Sequence, residues 1–287
     1  MKRRTFLQSL MVMGAASAAR PSRAGDESDG DGNAILVDLT RCEGCRSCEA
    51  ACAEANGLPE PDWEIDIDEM EPRPTTEKQW VTVSRFDTSR GDVYVRRQCM
   101  HCLQPACAAG CLTKALVRKP EGAVVWRGDK CMGCRYCMIS CPFDVPKFEY
   151  DSANPRIQKC RMCWERVEAG ELPACVDECP GDALSFGPRA EMIELARKRI
   201  YENPGKYVSE IYGEHEVGGT GWLYISPVPF AELGFPTNLG ETPVPEYTRD
   251  FLTAVPVILA IWPALLLGIR RATHPEDSEA DVAVDEH

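Results

Sequence analysis

The 287-residue sequence is poor in histidine: His101, His215, His274 and His287 are the whole supply. None falls in its one long apolar stretch, so a haem held there by this chain's own histidines is excluded. It also lacks the spaced sets that mark bond-making chemistry. No Ser-His-Asp arrangement, phosphate loop or dinucleotide fingerprint appears, and Gly218-Gly219-Thr220-Gly221 has the wrong glycine pattern for a dinucleotide turn and reads as a loop. Positive charge is short as well. Thirty-two basic against 45 acidic side chains give a net −13, whereas a general nucleic-acid binder needs a basic face to displace counterions. With 44% hydrophobic and 27% charged residues the chain is neither fibrous nor wholly disordered.

What the sequence has in excess is cysteine. Its 16 cysteines fall into four groups of four with none left over. The first, Cys42, Cys45, Cys48 and Cys52, is spaced C-x2-C-x2-C-x3-C, and the third, Cys131, Cys134, Cys137 and Cys141, repeats it. The second, Cys99, Cys102, Cys107 and Cys111, widens the middle gap to four residues; the fourth, Cys160, Cys163, Cys175 and Cys179, widens it to eleven. This is the bacterial ferredoxin run for a cubane iron-sulfur cluster, in which three thiolates of one tight loop face one cluster and the fourth cysteine serves another. The fourth cysteine is expected in the first turn of a following helix. Pro142 and Pro180 follow two of these fourth cysteines and turn the chain away. A disulfide framework does not require repeated C-x2-C and belongs to shorter chains. Structural zinc separates its C-x2-C pairs by longer loops, and a thioredoxin-like site needs one pair.

Other segments fit around these groups. Cys111-Leu-Thr-Lys-Ala115-Leu116 resembles Cys179-Pro-Gly-Asp-Ala183-Leu184, so groups two and four lead alike into a strand. Residues 115–126 read as two strands joined by a Pro-Glu-Gly turn, and WVTVSRF from Trp80 with VYVRR from Val93 reads as a second hairpin. Arg189 to Tyr201 is expected to be an amphipathic helix with Met192, Leu195, Ala196 and Ile200 on one face. Lys130, Arg135, Lys159 and Arg161 adjoin cluster cysteines and are read either as raising potentials or as a solvated basic face. His101 is read as a packed ring or a donor to sulfur.

Both ends are distinctive. Residues 1–24 carry Lys2, Arg3, Arg4, Arg20 and Arg23 with no acid, around an apolar stretch from Phe6 to Ala19, and read as an export signal. The string KRRTFLQ resembles the twin-arginine signal, whose route carries folded proteins with cofactors in place. Phe251 to Ile269 is 19 residues without an ionisable side chain, enough to span a hydrocarbon core of roughly 30 Å. Pro256 and Pro263 should kink it. Arg270 and Arg271 put residues 270–287 on the cytoplasmic side, which leaves the body of the chain in the periplasm.

From Ala34 to Phe186 the sequence resembles the four-cluster electron-transfer subunits of membrane oxidoreductases, the family of formate dehydrogenase, dimethyl sulfoxide reductase and polysulfide reductase β subunits. RQCMHC at Arg97, CMGCRYCMISCPFDVPKFEY at Cys131 and YGEHEVGGTGWLYISPVPFAELGFP at Tyr212 are similar to the ferredoxin-like subunit of periplasm-facing, membrane-bound nickel-iron hydrogenases. The resemblance implies an α+β fold of two intertwined bacterial-ferredoxin-like modules with short hairpins and helices, over residues 34–190. A docking or strap segment (191–250) and a transmembrane helix (251–269) follow. It also implies four [4Fe-4S] clusters: Cys42, Cys45 and Cys48 with Cys179; Cys160, Cys163 and Cys175 with Cys52; Cys99, Cys102 and Cys107 with Cys141; Cys131, Cys134 and Cys137 with Cys111. The expected partners are a catalytic subunit, foremost a nickel-iron hydrogenase, an integral membrane quinone-reactive subunit, and membrane lipid. A molybdenum or tungsten enzyme is the alternative catalytic partner, and a zinc- or disulfide-stabilised scaffold the alternative of another class. Substrate oxidation falls to a partner and this chain relays electrons.

Overall fold

The computed structural model describes residues 31–65, 67 and 72–273. The signal segment 1–24 and the tail from residue 274, with His274 and His287, lie outside the described residues.

A three-stranded sheet forms the spine. β1 (Asn33–Asp38) lies between β8 (Leu184–Pro188), to which it is antiparallel, and β9 (Trp222–Ile225), to which it is parallel. All four residues of β9 are buried, as befits a strand covered on both faces. Period-two alternation assigns those faces. Ala34, Leu36, Leu223 and Ile225 pack with Met192 and Ala196 of the helix α6 (Arg189–Glu202), while Ile35, Val37, Trp222 and Tyr224 join the main core on the other side. The helix face expected from the sequence is therefore the buried one, with Leu195 and Ile200 at its margin.

The core accordingly does not stop at residue 190. The segment 191–250 supplies β9 and the aromatic set Tyr212, Tyr224, Phe230 and Phe235, whose rings meet at 4.7–6.4 Å. The sequence pattern missed β9 because a strand buried on both faces has no polar alternation to betray it.

Small hairpins carry the cysteine loops. β2 (Thr82–Thr88) pairs with β3 (Gly91–Arg97), β4 (Leu116–Arg118) with β5 (Val124–Trp126), and the two-residue β6 (Lys147–Phe148) with β7 (Ile157–Gln158). The first two are the hairpins expected from the sequence. Around them in the chain lie α1 (Ser47–Asn56) and the four- or five-residue helices α2 (Ala106–Ala109), α3 (Tyr136–Ile139), α4 (Trp164–Glu168) and α5 (Ala174–Asp177). The last helix, α7 (Glu246–Thr273), continues through Pro256 and Pro263, buries none of its residues, and is long and apolar enough to cross a membrane.

Candidate metal centre

The cysteine loops share a backbone device. Gly44 and Gly133 take φ of +69° and +72° within the first two-residue gap of groups one and three, and Arg46 and Arg135 take +61° and +59° just before the next cysteine's helix. Three residues past the fourth cysteine, Lys114, Asp144 and Asp182 are again left-handed, at +52°, +50° and +48°. Side chains other than glycine adopt this region at a cost. The bend turns an amide onto sulfur: the Ala115 N–H lies 3.1 Å from Cys111 Sγ. With the Leu116 amide and the Thr113 hydroxyl, these donors outweigh burial and hold the Cys111 thiol below its ordinary value. Val145 and Phe143 direct amides at Cys141 in the same way.

One expectation is corrected. In groups two, three and four it is the third cysteine, Cys107, Cys137 or Cys175, that sits in the short helix; Cys111, Cys141 and Cys179 lie just past its end. Of the four fourth-position cysteines, only Cys52 lies inside a helix. Ala53 stands there in place of a proline, so α1 runs on to Asn56, whereas Pro142 and Pro180 cannot extend a helix.

Folding brings the groups together crosswise. Cys42, Cys45 and Cys48 line one cavity with Cys179, and Cys160, Cys163 and Cys175 line another with Cys52. Cys131, Cys134 and Cys137 line a third with Cys111. The thiols that act on Cys102 electrostatically are Cys99, Cys141 and Cys107. We number these four sets cages one (Cys179), two (Cys52), three (Cys141) and four (Cys111), each identified by the cysteine drawn from the partner group.

The cages stand in series. Cys48 of cage one neighbours Cys175 of cage two, Cys160 of cage two neighbours Cys99 of cage three, and Cys107 of cage three neighbours Cys137 of cage four. Each end cage has one exposed sulfur, Cys45 and Cys134 respectively, and the two inner cages have none.

Burial makes thiolates costly here. It pushes Cys48, Cys107 and Cys160 up to about 12 and Cys137 up to about 11. Two buried cations act against it. Arg96 lowers Cys48, Cys52, Cys160 and Cys175, and Lys159 lowers Cys107 and Cys141. Of the four basic residues singled out from the sequence, only Lys159 is buried; its Nζ lies 3.6 Å from Cys99 Sγ and donates to the carbonyls of Cys160, at 3.0 Å, and Val124. Lys130 and Arg135 are exposed, Arg135 stacking on Phe148 and Tyr150, and the half-buried Arg161 pairs with Glu165. Arg96 was not foreseen, because a basic residue three positions before Cys99 at the end of a strand looks like any solvent-facing arginine.

The donor set suits an inorganic sulfide core. All sixteen cysteines are free thiols. Among the described residues no group of three His, Cys, Asp or Glu side chains is arranged to hold a single metal ion, whereas each of three cavities is lined by four thiols. Buried donors without a protein partner border the cages: the Trp222 indole at cage two, the Trp126 indole at cage four, and Arg96 Nε and Nη2. Such orphans are costly unless something accepts from them, and sulfide does. His101 is a buried ring whose Nδ1 accepts the Val124 amide at 2.8 Å. Burial pushes its pKa well below the ordinary value, so it stays neutral.

These features define an iron-sulfur protein of the ferredoxin kind, and the comparisons agree. Residues 92–189 match the 4Fe-4S dicluster domain family. A protein of Nitratidesulfovibrio vulgaris is 44% identical over 98% of this chain and 79% of its own length. The hydrogenase-2 operon protein HybA of Escherichia coli O157:H7 is 35% identical over 70% of this chain and 72% of its own. The iron-sulfur subunit of the nitrate-inducible formate dehydrogenase of Escherichia coli K12 is 34% identical over 67% of each. The chain belongs to the ferredoxin-like electron-transfer subunit family of which HybA and the formate dehydrogenase iron-sulfur subunits are members.

Proposed function

We propose that this chain is the electron-transfer subunit of a hydrogen-oxidising complex on the periplasmic face of the cytoplasmic membrane. In this reading the sixteen cysteines hold four [4Fe-4S] clusters that pass single electrons between a nickel-iron hydrogenase and an integral membrane quinone-reactive subunit. The observation that carries it is the serial placement of the four cages, each with a sulfur beside the next, and with exposed cysteines only at the two ends.

The chain's own residues supply the rest. The cross-pairing of groups one with four and two with three makes two intertwined ferredoxin-like modules. Around cage four, Leu112, Met132, Tyr136 and Ile139 expose large apolar surface, which suits docking of a partner subunit. The exposed α7 serves as the membrane anchor after twin-arginine export. The hydrogenase is preferred as the catalytic partner because the similarity to the hydrogenase-type subunit extends through residues 212–236. The comparable identity of the formate dehydrogenase subunit keeps a molybdenum or tungsten enzyme as the second reading.

The test is anaerobic purification of the complex from its native membrane. Visible absorbance bleached by dithionite, with iron and sulfide sufficient for four clusters, supports the relay. Co-purifying nickel supports the hydrogenase, and molybdopterin without nickel overturns it in favour of the second reading.

A further inference from the structure

Arg96 is fully enclosed and bound on only part of its guanidinium. Nη1 donates to Gln98 Oε1 at 3.0 Å, and the plane lies over the Trp222 ring with its carbon 4.3 Å from the centroid. Gln98 is fixed in turn, its Nε2 donating to Tyr224 Oη at 2.6 Å while that hydroxyl donates to the Arg96 carbonyl at 3.1 Å. Arg96 lies in β3 with Gln98 one residue past its end, and Trp222 and Tyr224 are two apart on one face of β9. The two strands thus clamp one side chain between them.

What remains free borders the cages. Nε and Nη2 are buried and have no partner in the protein. Among the described residues, Arg96 is the one that lines the cavities of both cage one and cage two. Burial acts to lower its pKa, and Cys175, Cys48 and Cys160 act most strongly to raise it.

We propose that Arg96 is a potential-setting residue shared by the first two clusters of the relay: its Nε–H and Nη2–H donate to sulfur at cages one and two and favour the one-electron-reduced state of both. The inference rests on the four-cluster reading. A fixed cation stabilises the more negative state of a neighbouring cluster, and hydrogen bonds to sulfur act in the same direction. One electron from the partner subunit enters and no proton moves, because the guanidinium is protonated throughout. Lys159, beside cage three, is placed to do the same for the next cluster, so the relay has separate cations for its successive steps.

The test is a paramagnetic-resonance redox titration of the anaerobic holoprotein, with dithionite as reductant, on wild type, Arg96→Gln and Arg96→Lys. Arg96→Gln should lower the potentials of two clusters and leave the other two in place, and Arg96→Lys should recover part of the drop. If Arg96→Gln fails to load iron, Gln98→Leu, which loosens the guanidinium without removing its charge, should lower the same two by less. Unchanged potentials at full iron content, or a uniform drift of all four, would overturn the assignment. Fewer than four clusters in the wild type would instead strike the reading beneath it.

Discussion

Lys159 Nζ stands 3.6 Å from Cys99 Sγ, out of contact with water, on the residue next to Cys160. A cation so placed serves cage three and the boundary with cage two together. Replacing it by methionine keeps the stem and removes the charge. Lys159→Met is expected to lower the potential of one cluster by about 59 mV, a tenfold change in a one-electron equilibrium, while Lys130→Met, on an exposed side chain, leaves all potentials where they were. Potentiometric titration of the two variants side by side decides it.

Glu49 is the anchor of the first loop. Its buried carboxylate accepts from Arg46 at 3.0 Å, Arg73 at 2.9 Å, Gln79 at 2.8 Å and the Val83 amide at 2.6 Å, tying α1 to β2 and the 73–79 segment. Removing one partner of a buried ion pair typically costs about 3–5 kcal/mol. Glu49→Ala should therefore bleach at distinctly lower urea concentration than wild type, and a coincident unfolding curve would contradict the role given to this carboxylate.

Cys134 is the exposed member of cage four, at one end of the series. Cys134→Ala is expected to change or remove one cluster only, lowering iron by at most about a quarter if four cubanes are present. Cys175→Ala, buried in cage two beside Cys48, should in contrast reduce the yield of folded protein. Iron analysis and resonance spectra of the two variants measure the difference.

Because α7 buries nothing against the rest of the chain, ending the chain at residue 245 should leave cluster absorbance per protein unchanged and move the protein from the membrane to the soluble fraction. Retention in washed membranes would assign the anchoring to a partner subunit instead.

The sequence by itself determined the four tetrads, the two principal hairpins, the α6 amphipathic face and the long apolar helix, because each is a local pattern: a fixed spacing between ligands, a turn between alternating strands, or a period of 3.6 or longer apolar run. Tertiary structure alone decided the rest. The serial order of the cages depends on which loops meet across the sheet, and nothing in the spacing C-x2-C-x2-C encodes that. Trp222 and Tyr224 sit in a strand buried on both faces, so no alternation marks it. Arg96 became a functional candidate only when β9 folded over it, since burial, and not residue type, converts a surface charge into one that strongly feels the sulfurs around it.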